Sequence, residues 1–331
     1  MIMPEEISAS SAIGIAALVA LLLSAAIVVW MAIFSRWAHG RALAGYERRR
    51  AAPWGAFDIA VVFGAYFLLT ALIPSLALEL LPPEQRKPLD RRVPPQTAPS
   101  VAKPNPIERG LIEESEDIAE NKGPVLHPIV HLIRSRSPFA VILAAVLALV
   151  IAPLSEEMIF RVVMQGGLEA TIRQQRWSVR WLRRCLPVFG PALVFGLLHW
   201  NTNSKEYPRE YYIALLSGVA LGATASLAFA VGWLKVVRRA TWADLGISTV
   251  RWKSDVGLGL ASFAALAVPI YSLQLGLTPF MPKGVAPDPL GIFLFALAWG
   301  YLYRQTHRIG PSLISHMALN ATSLTAALLM L

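Results

Sequence analysis

Residues 153–161 read PLSEEMIFR, and they follow a run, PFAVILAAVLALVIA (138–152), that carries no charge. Ser155, Glu156, Glu157 and Arg161 therefore sit inside what is otherwise a membrane-spanning helix. An ionisable group at the centre of a span costs about 2.5–3.5 kcal/mol, so such groups face the protein interior and mark function. Glu157 and Arg161 are four residues apart, share a helix face and can pair. Glu156 points about 100° away on the helix and is not neutralised by that pair. The reading is a fixed internal ion pair beside a carboxylate free to titrate, which suits general-base work. The plain alternative is a structural ion pair with a second carboxylate facing water near the helix end.

The rest of the chain agrees with a membrane setting. It has 331 residues, of which 55% are hydrophobic and only 15% charged. That composition belongs to an all-α, polytopic integral membrane bundle and not to a soluble domain. Apolar runs of span length predict about eight transmembrane helices, at 11–34, 55–81, 138–170, 186–200, 211–234, 254–280, 290–303 and 310–331. Glu5 and Glu6 stand where a signal peptide would be cationic, so the first run reads as a retained span. Loops 35–53, 171–185 and 235–253 hold fifteen Lys and Arg, against three in loops 201–210 and 281–288. All the basic loops fall on one side of an eight-span count, which makes that side cytoplasmic. The net charge of +9 is then topological and implies no nucleic-acid partner. The single cysteine, Cys185, allows no internal disulfide.

Three parts follow. Residues 1–81 form two N-terminal spans. Residues 82–137 form a proline-rich extramembrane loop, expected to be disordered in part, with an acidic patch EESEDIAE at 113–120. Within it VLHPIVHLI (125–133) is expected to lie along the interface. Residues 138–331 form a core.

Two further polar clusters lie on other spans. In FGLLHW (195–200), Phe195 and His199 are one helical turn apart, so the aromatic ring can fix and shield the imidazole. The alternative is a lone interfacial histidine. In ISHMALNA (314–321), His316 and Asn320 place an imidazole and an amide donor on one face. Such donors can hold an oxyanion, or they can form an interhelical hydrogen-bonding patch. Together the clusters supply a base, a water-positioning partner and an oxyanion clamp, the parts needed to hydrolyse an amide with an activated water.

Glu156-Glu157-x-x-x-Arg161, Phe195-x-x-x-His199 and His316-x-x-x-Asn320, in that order, resemble the motif set of the CPBP intramembrane proteases. That family includes the type II CAAX prenyl proteases and bacteriocin-processing or immunity proteins. VIAPLSEEMIFR (150–161) and GYLYRQTHRIGPSLISHMALN (300–320) extend the resemblance, which covers about 138–200 and 290–325. It implies an intramembrane endopeptidase in which Glu156 and His199 activate water. His316 and Asn320 would hold the oxyanion, and Glu157, Arg161 and Phe195 would support the site. No cofactor is implied; zinc at Glu156, His199 and His316 is the alternative, although HExxH is absent. GxSG and GxGD, the signatures of other membrane proteases, are absent too. His199 and His316 lie 117 residues apart, more than is usual in the family, which implies an inserted pair of spans at about 211–280. Within that stretch TWADLGI (241–247) resembles a segment the family often carries nearer its N-terminus.

The expected partners are the lipid bilayer of the plasma (inner) membrane and a peptide or protein substrate, lipidated or not. Two other functions compete: a non-proteolytic scaffold or immunity-type protein, and a transporter using the buried Glu, His and Arg as an ion path.

Overall fold

The computed structural model describes residues 9–42, 44–47, 52–89, 128–134, 137–174, 180–200, 207–280 and 288–330. The acidic patch and most of the proline-rich loop lie outside these residues. Among the described residues there is no strand, and the chain forms nine α-helices. They are α1 (Ala9–Ala38), α2 (Ala56–Glu79), α3 (Pro128–Arg134), α4 (Pro138–Arg173), α5 (Arg180–Leu198), α6 (Arg209–Val237), α7 (Trp252–Leu277), α8 (Asp288–Thr306) and α9 (Gly310–Leu329). The chain is a polytopic helical membrane bundle. All but the short α3 correspond to the eight expected spans.

Six helices combine the length and apolarity needed to cross a membrane: α1, α2, α4, α6, α7 and α9. The two expected spans that fall outside this set are α5 and α8. Each is 19 residues long; α5 opens on Arg180, Arg183 and Arg184 and contains Pro187 and Pro191, and α8 carries Asp288 and Arg304. They pack mainly against each other. Gly196 of α5 comes so close to α8 that a Cβ there would lie 2.9 Å from the Phe293 Cβ. A helix whose neighbours are protein does not need a lipid-facing composition all round.

Helix α6 lies along α2, and α7 along α9. Both contacts rest on glycines. A Cβ on Gly218 of α6 would lie 2.6 Å from the Pro74 Cα, and one on Gly222 3.0 Å from the Leu69 carbonyl oxygen. Gly259 of α7 sits equally close to Pro311 and Ile314 of α9. Small residues four apart let helix backbones approach, which is how helices associate where lipid removes the hydrophobic incentive. The pair α6 and α7 is thus built into the bundle on both sides.

Helix α3 docks on α4 and α6. Its Leu132 is fully buried, and the His131 ring stacks face to face on Tyr212 at 4.7 Å.

One end of the bundle is tied by charges. Asp255, at the start of α7, accepts from Arg308 Nε at 2.6 Å. Arg308 also pairs with Glu47, which accepts from Arg251 at 2.9 Å. The Ile309 amide donates to the Gly246 carbonyl at 3.1 Å, and the Glu47 amide to the Gln305 carbonyl at 2.8 Å. Gly246 has φ +76, a left-handed turn that favours glycine, and a Cβ there would lie 3.0 Å from the Ile309 nitrogen. The loop TWADLGI is therefore a clamp on the turn that leads into α9. It holds its own shape through Asp244, which accepts from the Thr241 amide and hydroxyl at 2.9 and 2.7 Å.

Candidate active site

Helix α4 is continuous but not uniformly α-helical. Leu147–Ile151 and Met158–Gln165 are π-helical, on either side of the α-helical Ala152–Glu157. The wider π turns are common at functional sites. Here they bracket the two carboxylates.

Glu157 is fully buried, with Arg161, His316 and Ser312 around its carboxylate. Arg161 Nε donates to its Oε2 at 3.3 Å, and His316 Nδ1 lies 3.3 Å from its Oε1. The expected i,i+4 pair is thus formed, and α9 supplies an imidazole against its far side. His316 Nε2 points the other way, 3.6 Å from Glu156 Oε2. One imidazole therefore spans both carboxylates. Glu156 keeps 18% of its side chain exposed, Glu157 none. The two neighbours in sequence thus differ: Glu157 is locked in an ion pair, while Glu156 stays partly exposed beside His316.

Aromatic rings fix the histidines. His316 stacks on Trp299 of α8 at 4.3 Å and 20° and meets the edge of Phe195 at 5.8 Å. Trp299 is held by donating from Nε1 to Ser315 Oγ at 2.9 Å. Phe195 also packs on His199 at 4.4 Å. His199 stands just past the end of α5, and its Nδ1 lies 2.7 Å from the Phe195 carbonyl oxygen. A carbonyl can only accept, so in the neutral ring Nδ1 carries the proton and Nε2 is left as an acceptor. Arg161 lies between Phe195 and Trp299, 5.8 and 5.9 Å from their ring centres.

Asn320 behaves differently. Its Nδ2 donates to the Ala148 carbonyl at 2.7 Å. The cause is Pro153. In the π turn the Ala152 amide bonds the Leu147 carbonyl, and the next residue in that pattern, Pro153, has no N–H to give Ala148. The side chain of Asn320 fills the gap, and one N–H of its amide remains. Trp299, Ser315 and Ala148 were not singled out by the sequence. The signals were a tryptophan in mid-span, whose N–H needs a partner, and a proline inside a helix, which frees a carbonyl.

A metal would need converging donors. Among the described residues no group of three His, Cys, Asp or Glu is arranged to hold one. The Nδ1 of His199 is taken by a backbone carbonyl, and both nitrogens of His316 face carboxylates. HPIVH (127–131) begins at a residue outside the described set, and its His131 stacks on Tyr212.

Neither a curated protein nor a solved structure matches the chain. The family description "Type II CAAX prenyl endopeptidase Rce1-like" does match, over residues 138–322. That range spans α4 to α9 and includes every candidate site residue described above. The match covers more than half of the chain, which belongs to the Rce1-like type II CAAX prenyl endopeptidase family.

Proposed function

We propose that the protein is an intramembrane endopeptidase that hydrolyses a peptide bond with a water activated by Glu156 and His199. The observation that carries this reading is the asymmetry of the carboxylates: Glu157 is sealed in an ion pair, while Glu156 beside it stays partly exposed. In this mechanism Glu156 takes a proton from water as the oxygen attacks the scissile carbonyl carbon. His199 Nε2 accepts from the same water and orients it. The negative charge that develops on the carbonyl oxygen is held by His316 and by the remaining N–H of Asn320. The proton on Glu156 then passes to the leaving amine as the C–N bond breaks. Glu157, Arg161, Phe195 and Trp299 hold His316 in place.

Family membership supports a substrate carrying a lipid near its cleavage site, presented from the bilayer. The test is cleavage of a fluorogenic peptide in liposomes, with and without a prenyl group on its cysteine, in the presence and absence of a chelator. The prenylated peptide is expected to be cleaved faster, and a chelator to leave the rate unchanged. Equal rates for the two peptides would contradict the substrate class; loss of cleavage on chelation would contradict metal-free chemistry.

A further inference from the structure

The helix stripe that begins at Glu157 continues past Arg161 to Gln165 and Glu169, each four residues on. Arg161 and Gln165 are both fully buried. Arg161 uses Nε on Glu157, but neither Nη1 nor Nη2 bonds to any protein atom. Gln165 donates from Nε2 to the Gly300 carbonyl at 2.8 Å and to Glu169 Oε1 at 3.3 Å. Both partners can only accept, so the orientation of the Gln165 amide is fixed. Its Oε1 is therefore an acceptor, and it too has no protein partner.

Two of these unmet groups, Arg161 Nη1 and Gln165 Oε1, lie near the same spot. A Cβ on Gly300 would lie 3.2 Å from Gln165 Oε1 and 3.6 Å from Arg161 Nη1. Because residue 300 is glycine, no side chain of α8 enters that corner, and the nearest other side-chain atom is Val188 Cγ1, 3.0 Å from where a Cβ would sit. We propose that a single water molecule binds there, between Arg161 Nη1 and Gln165 Oε1, and that this site positions Arg161.

The chemistry selects the ligand. An anion would satisfy the guanidinium but be repelled by the amide oxygen, and a cation the reverse. A molecule that accepts from one and donates to the other, and fits beside a glycine, is water. The consequence runs back to the candidate catalytic groups. Arg161 sits between two aromatic rings that offer no hydrogen-bond acceptor in its plane, so the water is what fixes its outer edge. Arg161 in turn fixes Glu157, and Glu157 fixes His316. Gln165 and Gly300 are thus positioning residues, and their effect on rate rests on the reading given under Proposed function.

Gly300→Ala and Gly300→Ser separate this site from mere packing. Both add a Cβ that would lie 3.0 Å from Val188 Cγ1, so they share the steric penalty. Only serine adds a hydroxyl that can accept from Arg161 and donate to Gln165. Gly300→Ala is expected to lower the melting temperature in detergent by about 3 °C or more. It is also expected to lower kcat about tenfold at an unchanged KM. Gly300→Ser is expected to recover at least half of each loss. A map of the wild-type protein at about 2 Å is expected to show a water within hydrogen-bonding reach of both groups. The proposal is overturned if serine is no better than alanine, or if the map shows Arg161 bonded directly to Gln165 with no water between. The two readings fail separately. A wild-type protein that cleaves no peptide but shows the water and the alanine–serine difference in melting sinks the proposed function alone. Normal cleavage with alanine and serine alike sinks the water site alone.

Discussion

Glu157 is bound on both sides, by Arg161 at one oxygen and His316 at the other. Its removal is therefore a stability experiment as much as a kinetic one. Glu157→Gln leaves the Arg161 guanidinium uncompensated in a low-dielectric interior, at a cost of about 3–5 kcal/mol. A lower melting temperature and a lower yield are expected together with lost activity, and a thermal-shift curve beside a cleavage assay checks it. Asn320 carries a similar double load. Considered from spacing alone, Asn320→Ala removes one oxyanion donor and costs about 10²–10³ in rate with the fold intact. The bond to Ala148 changes that expectation: the variant also leaves a half-buried carbonyl unmet, at about 1–3 kcal/mol. The expected outcome is loss of rate with a measurable drop in melting temperature. A pure rate effect would mean that the amide is not anchored on Ala148.

At the scale of the element, α4 is the part whose regularity is broken for a reason. Pro153 withholds the N–H that Ala148 would accept, and Asn320 supplies one from α9. Pro153→Ala returns a backbone donor to that turn. The variant is expected to melt no lower than the parent and to lose activity, because Asn320 loses its fixed partner; melting and turnover measured on the same preparation test this. The contact of α6 on α2 makes a second prediction. Gly218→Leu drives a side chain into the Pro74 backbone and is expected to destabilise by about 1–3 kcal/mol, or to prevent assembly, while Gly232→Leu, where a Cβ meets nothing within 4 Å, is not.

The helices were legible as apolar runs, and so was the i,i+4 pairing of Glu157 with Arg161. Helix ends were less so: α5 runs from Arg180, ahead of the apolar stretch that starts at 186, with Arg183 and Arg184 exposed, because apolarity marks the part suited to lipid and not where the helical backbone starts. The π turns have no periodic signature, and only Pro153 hints at one. The stacking of Trp299 on His316 joins residues 17 apart in sequence on two different helices, and nothing local announces it.

For the whole molecule, three of the basic connections meet at one end, where Glu47, Asp255, Arg251 and Arg308 pair across them. The expectation from the basic loops, that both termini face outward, would put that end in the cytoplasm. Single cysteines introduced by Trp242→Cys and Leu80→Cys, in a Cys185→Ser background, are expected to react with an impermeant reagent from the cytoplasmic and the outer side respectively. The opposite pattern would invert the topology. The clamp also bears on the site, since Arg308 stands two residues before α9. Asp255→Asn removes the charge opposite Arg308 and is expected to lower both thermal stability and turnover.

The most direct test of the account is Glu156→Gln. Glutamine is nearly isosteric and keeps the hydrogen-bonding capacity of the site, but it cannot take a proton from water. Purified wild-type and variant proteins, incubated in liposomes with a lipidated reporter peptide, are compared by mass spectrometry of the products. The account predicts an unchanged melting curve and a loss of about 10²–10⁴ in cleavage rate. Cleavage by Glu156→Gln at the wild-type rate would contradict it and favour a bundle kept for binding.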